Sequence, residues 1–130
     1  MPELWSVYAN EDACDLAMRT PGAGRVAPDE VMVRGPIAAD LRAAIHTVDP
    51  DALIREASEG WVEIALGGDA RDIFAMVSEL RLPDGPGYVQ GDVARVAARV
   101  FVEDEGIRLL VRASWEAHVR RRLDDVGSVA

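Results

Sequence analysis

From Trp61 to Val77 the chain reads WVEIALGGDARDIFAMV. Val62, Ile64 and Leu66 alternate with Glu63 and Ala65, the period of a strand with one buried face. Gly67-Gly68-Asp69 predicts a tight turn. Ala70, Ile73, Phe74, Val77 and Leu80 then recur at helical spacing, so one helix face is apolar. An echo of this order stands upstream in VMVRGPIAADL. Val31 and Val33 mark one face of a short strand over 30–34. Gly35-Pro36 ends it, with Pro36 suited to the first helical position. Ile37, Leu41, Ala44 and Ile45 form the helical stripe. The echo suggests two similar βα halves.

The remaining elements are shorter. Leu4 to Ala9 predicts a strand. Asn10 to Pro28 mixes acids with Thr20-Pro21-Gly22 and Gly24 and reads mostly as loop or arm. Ala52-Leu53-Ile54 opens a strand after Pro50, and Leu82 to Gly87, with two prolines and two glycines, reads as loop. Asp92 to Glu103 fits either period, but its valines favour strand. Glu103-Asp104-Glu105-Gly106 predicts a hairpin turn with Gly106 left-handed, leading into the strand IRLLVRA. Ser114 is placed to cap a last helix, with Trp115, His118, Val119, Arg122 and Val126 on one face and Gly127 as its stop. The order predicts an α+β fold, a mixed or antiparallel sheet with helices on one face. Residues 1–28 are expected as an N-terminal arm with an edge strand, 29–127 as the folded domain and 128–130 as a tail.

Composition narrows the function. The chain has 130 residues, 49% hydrophobic and 28% charged, which suits one folded domain. Its single cysteine, Cys14, allows no internal disulfide and fits a reducing cytoplasm. No signal peptide and no membrane-spanning run is expected. A formal net charge of −9 argues against nucleic acid or anionic lipid as partner. The Arg120-Arg121-Arg122 run reads as a solvated helix end.

No catalytic constellation emerges. Gly67-Gly68 is neither a P-loop nor a dinucleotide fingerprint. Asp69, at the helix start, takes the place an anion would occupy and is expected to cap the helix. Cys14 lies among Glu11, Asp12 and Asp15, which raise a thiol pKa. His46 and His118 lack ligand-like neighbours, and His118 reads as a partly buried packing residue. No serine sits in a nucleophile elbow. The expected catalytic, cofactor and metal sites on this chain are therefore none. Trp61, Tyr88, Arg95 and Arg99 are the only aromatic and basic candidates for a small-molecule cavity. Trp5, Tyr8 and Tyr88 are the expected partner contacts, since exposed aromatics anchor interfaces.

Several stretches, taken in order, resemble the gamma subunit of heterotetrameric sarcosine oxidase. Ala27-Pro28-Asp29-Glu30 is similar to a Gly-Pro-Asp-Glu strand start, and Trp61 to Gly67 to the pattern W-x-x-I-x-L-x-G. Gly68-Asp69-Ala70-Arg71 stands where a Gly-Pro-x-Ala-Arg helix start is usual, with Asp69 in place of proline. Leu110-Val111-Arg112-Ala113-Ser114-Trp115 matches a strand-to-helix junction. The likeness covers roughly residues 27 to 127, and the N-terminal segment is short for the family. The resemblance implies two ferredoxin-like βα(β) halves, as in the glycine-cleavage T-protein-like fold. It implies a non-catalytic accessory subunit of a flavin-dependent oxidase of sarcosine or a related secondary amine, feeding one-carbon metabolism. FAD, FMN, NAD and tetrahydrofolate would then belong to larger partner subunits. The alternative is a stand-alone small-molecule binder of the same fold, for a folate-type ligand.

Overall fold

A computed structural model of the chain describes residues 2–127, and the tail expected at 128–130 lies outside them. The chain forms two compact units, Met1–Glu59 and Gly60–Ala130. Each has one four-stranded antiparallel sheet and two α-helices, so the α+β class holds.

The first unit runs β1 (Leu4–Tyr8), α1 (Glu11–Ala17), β2 (Ala23–Ala27), β3 (Glu30–Arg34), α2 (Ala39–Val48) and β4 (Leu53–Glu56). Its strand order, β2-β3-β1-β4, is that of a ferredoxin-like βαββαβ unit. Segment 10–28, expected as loop, is instead α1 and β2. Asn10 starts the helix by accepting a hydrogen bond from the Ala13 N–H at 2.9 Å, and Glu11 and Asp12 sit at its positive end. The buried side of α1 is Ala13, Cys14 and Ala17. Such small residues leave little apolar periodicity to read. β1 is no edge strand, because it pairs with β3 on one side and β4 on the other. Arg25 of β2 pairs with Asp15 of α1 at 2.8 Å and donates to the Pro28 carbonyl at 2.8 Å. Pro36 stands outside α2, which begins at Ala39. The core joins Val7, Val31 and Val33 of the sheet to α1 and to Ile45 of α2.

The second unit runs β5 (Trp61–Leu66), α3 (Ala70–Val77), β6 (Gly87–Val93), β7 (Val96–Glu103), β8 (Gly106–Arg112) and α4 (Glu116–Gly127). Strand order is β5-β8-β7-β6, a three-strand meander with β5 added beside β8. Ile64, Val100, Ile107 and Leu109 face Phe74 of α3 and Val119 and Leu123 of α4 in one core. β6 begins inside the stretch expected as loop, so Tyr88 and Val89 are strand residues. Expected as one strand, 92–103 is broken by a turn at Ala94-Arg95 between β6 and β7. α3 stops at Val77, short of Leu80. Gly106 has no positive φ; glycine is required there because a Cβ would collide with the Leu66 carbonyl oxygen. Ser114 lies within a one-turn 3-10 helix, Ala113–Trp115, that leads into α4. Among the described residues, no helix is long and apolar enough to cross a membrane.

Candidate functional site

The Gly67–Asp69 turn forms as expected, with Gly68 at φ +57°. Asp69 occupies the N-cap position of α3, but its side chain makes no capping hydrogen bond. The expected cap is therefore corrected. Around this turn lie Asp72, Glu103, Asp104 and Glu105 as well as Asp69. A phosphate would meet these carboxylates, with Arg71 the cation that lines the same place.

On the face of the second sheet opposite the α3–α4 core, Trp61 is buried beneath arginines. The Arg112 guanidinium stands 4.1 Å from the ring centroid and that of Arg99 stands 4.5 Å away. Arg112 is the direct cross-strand partner of Trp61. Beside them, Arg108 reaches Glu63 at 3.3 Å and Glu103 at 2.8 Å. Of the four residues suggested for a small-molecule cavity, Trp61 and Arg99 thus come together. Tyr88 shares their sheet face but packs on Phe101, centroids 4.9 Å apart. Arg95 lies elsewhere, in the cleft described below.

The three expected partner contacts fall in both units, Trp5 and Tyr8 in the first and Tyr88 in the second. Trp5 is half-buried; its indole N–H donates to Glu3 Oε1 at 3.2 Å and Arg42 lies 5.3 Å from its ring. Strand alternation puts Tyr8 on the opposite face of β1 from Trp5. Tyr8 is 41% exposed and sits across from Leu53, itself 50% exposed. Tyr88 belongs to the second unit and donates its hydroxyl proton to Gln90 at 2.6 Å.

Cys14 is fully buried, its thiol directed to the Ala9 carbonyl at 3.5 Å. Burial, more than any neighbouring charge, pushes its pKa up. His46 in the first unit and His118 in the second each bond a backbone carbonyl, of Ala52 and Ala94 respectively. Among the described residues, no three His, Cys, Asp or Glu side chains converge as a metal site.

The arrangement that sequence reading missed is a cleft of about 860 Å³ in the second unit. α3 and its exit segment supply Met76, Ser78 and Glu79, the β6–β7 turn supplies Arg95, and α4 supplies His118 and Arg122. Ala94 and Arg95 are both left-handed, at φ +52° and +66°, where a two-residue hairpin turn favours asparagine and glycine. The turn is held rigidly. The Ala94 N–H donates to the Val77 carbonyl at 2.7 Å, and Nε2 of His118 is 2.9 Å from the Ala94 carbonyl oxygen. Ser78 donates to the Asp92 carbonyl at 2.7 Å and accepts from the Leu80 N–H at 3.1 Å. His118 is exposed, not a packing residue, and Trp115 meets its ring edge-on at 5.9 Å. The buried stripe of α4 is Val119 and Leu123. The only sequence signal for this cleft was the spacing of Trp115, His118 and Arg122, at i, i+3 and i+7.

These features describe two α+β units, the second of which carries a preformed cleft. No family model matches the chain, and no curated protein matches it in sequence. Among solved structures, it is similar to a chain of the heterotetrameric sarcosine oxidase from Corynebacterium sp. U-96, a structure in complex with pyrrole 2-carboxylate. The TM-score is 0.75 at 15% identity, over 98% of this chain and 80% of that one. At that identity the likeness is one of fold.

Proposed function

We propose that the chain is a non-catalytic accessory subunit of a heteromeric, flavin-dependent oxidase that demethylates sarcosine or a related secondary amine. The observation that carries this reading is the fold shared, along 98% of the chain, with a chain of a heterotetrameric sarcosine oxidase. FAD, FMN, NAD and tetrahydrofolate are assigned to the partner subunits, and the complex to the cytoplasm. The chain's own chemistry supports a passive role. Its thiol is buried with a raised pKa, and its two histidines lie in different units, each beside a backbone carbonyl. Trp5, Tyr8 and Tyr88 are proposed as partner contacts, with Tyr8 the most accessible of them.

Co-expression with a flavoprotein oxidase subunit is expected to yield a complex that co-purifies, while the chain alone is colourless. Replacing Trp5, Tyr8 and Tyr88 together by alanine should weaken the complex by about tenfold or more, measured at a temperature where the variant remains folded. A chain that stays monomeric beside every flavoprotein partner encoded near it, or that retains flavin by itself after gel filtration, would overturn this reading.

A second reading, a folate-type binder, is favoured by the meeting of Trp61, Arg99 and Arg112. Against it, the ring is already covered by the protein's own guanidinium groups. Titration with tetrahydrofolate decides it: saturable quenching of tryptophan emission, lost in Arg99→Ala, would favour the binder.

A further inference from the structure

We propose that the cleft between the end of α3, the Ala94-Arg95 turn and α4 receives a segment of the partner subunit that presents carboxylates beside a bulky apolar side chain. The inference rests on the accessory-subunit reading and gives it a second contact surface.

Exposure points to this place first. Among the described residues of the second unit, the large apolar side chains classed as exposed are Met76, at 58%, and Trp115, at 50%. Met76 lines the cleft, and Trp115 stands at its rim against His118. Tryptophan, methionine and arginine are the residue types that interfaces concentrate.

Charge points the same way. Arg99 and Arg112 are occupied by Trp61, Arg108 by Glu63 and Glu103, Arg71 by the Pro83 carbonyl, and Arg120 by Glu116. Arg95 and Arg122, which line the cleft, have no hydrogen-bond or ion-pair partner among the described residues; Arg81 and Arg121 are likewise unpartnered but do not line it. In a chain of net charge −9, two unspent guanidinium groups beside Met76 and Trp115 offer an acidic segment charge complementarity. Glu79 and Asp92 also line the cleft. They limit how much negative charge it accepts and bias a bound segment to place its carboxylates against Arg95 and Arg122.

Backbone conformation supplies the third argument. Arg95 keeps a side chain at a position where glycine is favoured, and observed strain of this kind concentrates at functional sites. The turn is already pinned through Val77 and His118, so Arg95 is presented from a rigid base and binding loses little freedom in ordering it.

The test compares wild type with Arg95→Glu/Arg122→Glu, Met76→Glu and Trp115→Ala, each co-expressed with the flavoprotein subunit and checked for unchanged Tm. Arg121→Glu, on the same helix but not lining the cleft, is the control. The double reversal is expected to raise the Kd about tenfold or more and to flatten its salt dependence, while Arg121→Glu leaves both nearly unchanged. Arg95→Lys/Arg122→Lys should retain most of the affinity. If wild type forms the complex and the double reversal binds equally well, the cleft is not the docking site and the subunit reading survives. If wild type forms no complex, both fall. A homodimer disrupted by the same variants would assign the cleft to a second copy of this chain and overturn the proposal. So would saturable glutarate binding that the reversal abolishes while partner affinity is unchanged.

Discussion

Replacing Arg95 by glycine should stabilise the second unit, although it deletes a long side chain. Arg95 sits at φ +66° in a two-residue hairpin turn. An L-residue in the left-handed region costs about 1–2 kcal/mol. Glycine relieves this but loses more freedom on folding, about 0.5–1 kcal/mol. The Arg95 side chain has no hydrogen bond to lose among the described residues. The net gain is therefore about 0.5–1 kcal/mol, or a few degrees in Tm for so small a unit. Ala94→Gly makes the informative comparison. It relieves similar strain at φ +52°, but Ala94 is only 5% exposed, and removing its buried methyl costs about 0.8 kcal/mol. That variant should come out near neutral. Urea denaturation followed by circular dichroism gives the difference, and amide exchange at Val100 and Leu109 reports the second unit directly. A neutral or destabilising Arg95→Gly, or a larger gain from Ala94→Gly, would refute the argument from strain. Taken with the docking proposal, Arg95→Gly should make the chain more stable and its complex weaker, a trade expected where strain is kept for function.

Three further outcomes are expected. Phe74→Ala should cost about 3–5 kcal/mol in urea denaturation, because the ring is 1% exposed at the centre of the α3 contact with the second core. Asp69→Ala should cost less than about 0.5 kcal/mol, since no capping hydrogen bond is lost; a larger loss would mean that the side chain engages the helix end in solution. Cys14 should resist thiol reagents in the native protein and react on unfolding. Its folded pKa lies above the ordinary value of 9.0, so its contribution to stability is complete below about pH 9 and is lost as pH rises through the folded pKa. Cys14→Ala should flatten that alkaline decline, as pH-dependent melting would record.

Legibility in the sequence followed side-chain size and turn chemistry. β5, α3 and the β7–β8 hairpin were readable because large apolar residues keep one period between glycines. α1 escaped notice because its buried side is Ala13, Cys14 and Ala17, and the acids beside them dominate the local composition. The β6–β7 turn escaped for the opposite reason: Ala94 and Arg95 are not turn formers, so Val93 and Val96 looked like one continuous run. The same two residues explain why the cleft was invisible. It exists only because that turn brings Arg95 beside an exit of α3 and a flank of α4. Trp61 with Arg99 was half legible: the residue types suggested a shared cavity, but only the strand register brings Arg112 opposite the indole.

The interior position of β1 dictates an order of assembly during synthesis. β1 leaves the ribosome before both of its neighbours, β3 and β4, the second of them ending at Glu56. The β2–β3 hairpin joins strands adjacent in sequence and can form early. A nascent chain halted between Arg34 and Leu53 would hold β1 with one side unpaired, an edge that invites pairing with another chain. The second unit meets the reverse situation: its meander closes from neighbouring strands, and only β5 must wait for a distant partner, β8. Slow translation through α2 and β4 therefore exposes the chain to aggregation more than the same delay through β6 to β8, and chaperone engagement should concentrate in that interval.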